Sequence, residues 1–176
     1  MPNSSISPRP TTRLAWKLGD DVSTDVIYPG RYMATVLPNE TPQFAFADIG
    51  DLNRNLVSGA IAPGSAIVAG KNFGCGSSRE QAASALRGYD LVVIARGFAR
   101  IFLQNAINLG LRTVVCPAIE ANEGDELEVD DDRVVNVTSG RTFAVVPMPP
   151  ARQAIIDAGG LIPYTRAKLI GQRGAL

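Results

Sequence analysis

The chain is expected to fold as a single α/β domain, a mixed sheet flanked by helices, and three stretches predict it. The apolar run AIVAG (66–70) leads through a glycine-rich segment, KNFGCGSSRE, into the helix-like SREQAASALRGY. That order reads strand, tight turn, helix. LVVIA (91–95) and RTVVCP bracket a second helical stretch, FARIFLQNAINLG. DELEV, RVVNV and TFAVV then follow at short spacing, separated by turns at DDD and TSG, and read as a β-meander. Helix-linked strands beside a meander make a mixed sheet.

The elements follow in order. Residues 1–12, MPNSSISPRPTT, are polar and Pro-rich and read as a flexible arm, leaving 13–176 as the one domain. RLAWKL (13–18) is a short strand, and the GDDVSTDVIYPGRYM after it is turn-rich. A helix is expected around DIGDLNRNLV, then a loop. LVVIA is a buried strand by its β-branched run. FARIFLQNAINLG sets Phe98, Ile101, Phe102, Asn105 and Leu109 at helical spacing, and Gly110 is a good stop. Asn105, near the face that meets the sheet, suits a structural hydrogen bond. ARQAIIDAGG is a helix ended by glycines, and YTRAKLI adds a last turn. There is no internal repeat and no linker.

Composition narrows the function. The 176 residues are enough for a real core, and 45% hydrophobic with 19% charged content is ordinary for a globular domain. Seventeen basic and seventeen acidic residues cancel, without the basic cluster of a nucleic-acid binder. No apolar run approaches the roughly 18 residues of a membrane helix. The N-terminal arm lacks the apolar stretch of a signal peptide, which points to the cytoplasm. There is no histidine, so neither a Ser–His–Asp nor a Cys–His pair can be built from this chain. Two cysteines, Cys75 and Cys116, are too few for an iron–sulfur cluster, and no metal site is expected. Cys116 ends the β-like TVVC and reads as a buried small apolar residue. The acidic run EGDELEVDDD departs from the EF-hand pattern and reads as a solvated hairpin.

The glycine turn carries the chemistry. Gly74 and Gly76 let the backbone turn sharply, and a helix start presents free N–H groups and the positive end of its dipole. Ser77, Ser78 and Arg79 lie at that point, a combination that suits a small carboxylate or phosphate. A dinucleotide site would need a third glycine where Arg79 stands and an acidic residue after the next strand, and has neither. A P-loop lacks its Gly-Lys-Ser/Thr, and a nucleophile elbow fails on spacing. The plain alternative is a helix cap by Ser77 or Ser78, completed by Glu80 or Gln81. It leaves the second serine, the glycines and the arginine unexplained.

NFGCGSSRE, with GDDVSTDVIYPGRY upstream and FARIFLQNAINLGL downstream, resembles the small subunits of 3-isopropylmalate dehydratases. More broadly the chain is similar to the swivelling C-terminal domain of the aconitase family, over about residues 18–129. The GSSRE block is the specific part. The resemblance implies a swivelling β/β/α domain and a larger partner subunit holding a [4Fe–4S] cluster, the two forming a heterodimer. It implies an activity, reversible dehydration and rehydration of a di- or tricarboxylic acid, here 2- and 3-isopropylmalate in leucine biosynthesis. It implies roles too: Ser77 as the base, and Arg79 as the grip on a substrate carboxylate. Ser78 and Gly76 belong to the cradle, and Asp25 is an acidic residue lining the site. The plainer alternative for Thr24 and Asp25 is a turn or cap. Cys75 has no assigned chemistry.

Two departures stand out. A histidine often follows the family's GSSRE glutamate, and here Gln81 does. The specificity loop reads YMAT (Tyr32, Met33, Ala34, Thr35), with Ala34 where archaeal-type members carry arginine. Arg31 lies three positions earlier as a substitute for that lost charge. The alternatives are a related dehydratase, for homoaconitate, dimethylmalate or citraconate, and a stand-alone carboxylate-binding module.

Overall fold

The computed structural model describes residues 11–173. Strand β1 (Thr11–Lys17) starts inside the stretch read as an arm: Thr11 and Thr12 pair with a neighbouring strand, and the rest of the arm lies outside the described residues. After it come a short helix α1 (Thr24–Ile27), two single 3₁₀ turns (Gly30–Tyr32 and Pro42–Phe44) and helix α2 (Gly50–Val57). Two strand–helix units follow, β2 (Ala66–Ala69) with α3 (Glu80–Gly88) and β3 (Val92–Ala95) with α4 (Arg100–Leu109), ending in β4 (Arg112–Val115). The meander is β5 (Glu126–Val129), β6 (Arg133–Asn136) and β7 (Arg141–Ala144). Helices α5 (Pro150–Asp157) and α6 (Leu161–Arg173) close the chain, and α6 is a full helix where the sequence promised a turn.

The sheet has the order β4-β3-β2-β1-β5-β6-β7. Strands β1 to β4 are parallel and β5 to β7 antiparallel, so β1 is the pivot of the mixed sheet. Its first three residues pair with Glu126–Glu128, and from Leu14 onward it pairs with β2. A bulge between Leu14 and Trp16 marks the handover.

Because β2 and β3 are covered on both sides, their residues are all buried. One core, on the helix side, contains Ile67, Val93, Phe73, Leu86 and Phe102. The other lies against the meander and contains Leu14, Val68, Ile94, Leu127, Val134 and Phe143. Cys116 belongs to this second core, as its sequence context predicted, and burial pushes its thiol pKa up. Helix α4 buries Phe102, Ala106 and Ile107, and Phe98 and Leu109 pack against the core as expected, but Ile101 is 44% exposed. Asn105 is half-buried and makes no side-chain hydrogen bond among the described residues. Gly110 ends the helix at φ 73°, as its position predicts.

Gly74 shows how tightly the turn is fitted. Its φ is 80°, and a Cβ there would overlap the Phe102 ring. Phe102 is itself locked edge-on to Phe73 at 5.2 Å. Gly74→Ala combines left-handed strain with overpacking, a loss of about 2–5 kcal/mol. The expected outcome is a lower urea midpoint with unchanged slope; an unshifted midpoint would show that the ring moves aside freely.

Candidate active site

The site grows out of the carboxyl ends of the parallel strands, the usual place for ligands in such sheets. Past their ends, β1 and β2 stay side by side. Gly70 N donates to Gly19 O (2.9 Å), Asp21 N to Lys71 O (2.9 Å), Gly74 N to Val22 O (2.7 Å) and Thr24 N to Cys75 O (2.8 Å). Side chains reinforce the seam: Lys71 N donates to Asp20 Oδ1 at 2.7 Å and Asn72 Nδ2 to Asp21 Oδ1 at 2.8 Å. On the far side Phe73 N donates to Gly97 O and Ala99 N to Phe73 O, each at 2.9 Å. The glycine turn is therefore stitched to both neighbours before it reaches the serines.

The turn then opens to solvent. Gly76 has φ 91°, and Ser77 and Ser78 are exposed. Among the described residues the two hydroxyls have no partner, and the amides of Gly76, Ser77 and Ser78 donate to no acceptor. Neither serine caps the helix, which corrects the plain alternative. Helix α3 begins at Glu80, and the cap position belongs to Arg79, whose backbone is extended. The serines precede the helix as a free amide-and-hydroxyl cradle with the helix start close behind.

Arg79 points back under the loop from α1. Its Nη1 donates to Asp25 Oδ1 and to Tyr28 O (3.2 Å), and only 11% of the side chain is exposed. Nε is buried without a partner, and Nη2 lies 3.3 Å from where a Cβ of Gly30 would stand. Glycine at position 30 thus keeps the guanidinium uncrowded. Asp25 and Tyr28 hold one nitrogen, leaving the Nε–Nη2 edge without an acceptor. The Arg79 hydrogen bond holds the Asp25 carboxyl below its usual pKa. Asp25 is thereby an ionised partner for Arg79 and an unsuitable proton donor near neutrality.

The cap within Ser-Thr-Asp is Ser23, which sequence reasoning missed: Val26 N donates to its Oγ at 3.2 Å. Thr24 is buried beneath Gly76, its hydroxyl unpartnered. Cys75 Sγ donates to Asp21 O at 3.5 Å.

The loop Tyr32–Thr35, expected to set specificity, is fixed through its main chain. Tyr28 Oη donates to Tyr32 O (3.2 Å) and Thr35 O (3.4 Å), and Gln81 Nε2 donates to Met33 O (3.4 Å). Gln81 therefore ties the first turn of α3 to this loop, a role without a local sequence signal. Tyr32 stacks on Phe44 at 4.1 Å, while Met33 and Ala34 project outward. Arg31 forms a two-pronged pair with Asp48 (3.1 and 2.5 Å) and lies over the Tyr32 ring. That pair raises the Arg31 pKa and lowers that of Asp48. A substrate carboxylate would have to displace Asp48 to use Arg31.

Among the described residues there is no group of three His, Cys, Asp or Glu that could hold an ion, and no helix is long and apolar enough to cross a membrane. A cavity of about 590 Å³ lies near the other end of the sheet, lined by Thr12, Gly64, Arg112, Val114, Val145 and Ile156.

Comparison with known proteins identifies the family to which the fold and sequence are similar. Residues 61–118 match the family model described as the aconitase C-terminal domain. The 3-isopropylmalate dehydratase small subunit of Methanosarcina acetivorans is 44% identical over 163 residues, 90% of this chain and 98% of that protein. The isopropylmalate/citramalate isomerase small subunit of Methanocaldococcus jannaschii is 43% identical, over 88% of this chain and 92% of the other. A crystal structure of 3-isopropylmalate dehydratase from the same organism superposes with a TM-score of 0.84 at 37% identity, covering 94% of this chain and 98% of that one.

Proposed function

The chain belongs to the family of 3-isopropylmalate dehydratase small subunits, and from that membership we propose that it supplies the base and the carboxylate grip of a two-subunit hydro-lyase. The substrate is isopropylmalate, whose hydroxyl moves between adjacent carbons by dehydration and rehydration. One observation carries the reading: an exposed Ser77, three unbonded amides and a pinned guanidinium with a free Nη2 occupy one corner of the fold.

Ser77 takes the proton from the carbon beside a carboxylate. A serine hydroxyl is far too weak an acid to do this alone. The amides of Gly76–Ser78 and the start of α3 stabilise its alkoxide. Ser78 adds a hydroxyl to the cradle. Nη2 of Arg79, unpartnered and not enclosed, receives the substrate carboxylate, while Asp25 holds the guanidinium in orientation. On rehydration Ser77 returns its proton to carbon.

The partner is a larger subunit working with this chain in the cytoplasm, and it completes a site that here lies open. A [4Fe–4S] cluster would be held by that partner and would supply the Lewis acid for the leaving hydroxyl.

The loop refines the substrate. Met33 and Ala34 project without charge, and Arg31 is spent on Asp48. That favours an apolar substituent on the dicarboxylate, isopropyl or methyl, over the third carboxylate of homoaconitate. The test is anaerobic co-purification with the larger chain, followed by assay on isopropylmalate, citramalate and homoaconitate. Isopropylmalate turnover supports the reading, turnover of homoaconitate alone overturns the substrate, and carboxylate binding without any partner favours a stand-alone module.

A further inference from the structure

Helix α6 runs for 13 residues with little cover from the rest of the domain. It is fixed at its start, where Gly159 and Gly160 pack closely against Gly110 at the end of α4. Of residues 161–171 only Tyr164 is as much as half-buried. Leu161, Ile162, Leu169 and Ile170 are 40, 73, 56 and 65% exposed. At 100° per residue these four, with Thr165 and Arg166, occupy one side of the helix and line one shallow groove. An isolated helix of this length is marginal in water, and a contiguous apolar face marks an interaction site.

Charge says what covers it. The sequence of α6, LIPYTRAKLIGQR, contains no acid. Lys168 is occupied over the Tyr164 ring at 5.6 Å, whereas Arg166 stands in the apolar stripe with no ion pair among the described residues. Two copies packed through this face would bring two guanidinium groups into one apolar seam with no carboxylate to match, which is unfavourable. The occupant must bring its own acid.

We propose that the outer face of α6 is a docking surface for the larger subunit, which meets it with an apolar groove carrying a carboxylate opposite Arg166. This rests on the small-subunit reading above. The start of α6 sits by the end of α4, at the opposite end of the parallel strands from Ser77. The contact therefore holds the domain from behind, separate from the surface that meets substrate.

The test is the affinity of the full chain for the larger subunit, measured anaerobically, for Ile162→Asp, Arg166→Glu and Arg166→Lys. Ile162 is so exposed that its change leaves the fold intact, checked by thermal melting. Ile162→Asp and Arg166→Glu are each expected to weaken binding about tenfold or more, with Arg166→Lys retaining most of it. Unchanged affinity for both overturns the surface while leaving the function standing. A dimer of the isolated chain that Ile162→Asp abolishes assigns the face to a second copy and overturns the proposal. Failure of the unmodified chain to bind any larger subunit overturns the surface and the function together.

Discussion

Ser77→Ala is expected to reduce turnover by about 10²–10⁴-fold, the usual contribution of a positioned proton-transfer group. The fold should not register the change. Ser77 is exposed, its hydroxyl has no partner among the described residues, and it neither caps α3 nor touches a core. Such a substitution usually stays within about 0.5 kcal/mol of the parent stability. The loss should therefore appear in kcat, at constant melting temperature and constant affinity for the larger subunit. Ser78→Ala is the informative neighbour, since it keeps the backbone cradle and the Ser77 hydroxyl. A Ser77→Ala complex with near-normal kcat would place the base elsewhere.

The strand–turn–helix units and the meander are legible because their signals are local: apolar runs, glycine punctuation and turn residues at fixed offsets. The helix carrying Phe102 was legible in type, and Phe98, Phe102 and Leu109 of its expected face do meet the core. Ile101 and Asn105 of that face do not, and Ala106 and Ile107 are buried in their stead. The serines of GSSRE satisfy every local rule for a cap, yet the helix starts at Glu80 because Arg79 is drawn into extended backbone toward Asp25 and Tyr28. Pairs of that kind, like Arg31 with Asp48 and Gln81 with Met33, join residues far apart in the chain. The resemblance marked Asp25 and Arg79 as site residues. Only the fold shows that each restrains the other.

Arg79→Lys is expected to raise KM by about 10–100-fold with a smaller change in kcat. The argument is geometric. Arg79 divides its donors: Nη1 serves Asp25 and Tyr28 O, while Nη2 remains for a ligand and Nε is enclosed. A lysine has one nitrogen at the end of a flexible stem and cannot reach both sides at once. If it stays with Asp25, the substrate loses its grip; if it turns outward, Asp25 and Tyr28 O lose their donor. Either way one or more charge-assisted hydrogen bonds go, each about 1.5–3 kcal/mol. Asp25 is 60% exposed on its side chain, so water takes over there and the fold tolerates the change. The penalty then falls on binding, because the carboxylate grip is made in ground state and transition state alike. Asp25→Asn separates the two jobs. It removes the charge that orients the guanidinium but leaves the free Nη2 chemically intact, so its KM should rise less than that of Arg79→Lys. An unchanged KM in the lysine variant would mean that the substrate carboxylate is held by the larger subunit, and that the pinned guanidinium is a structural strut under the α1 loop.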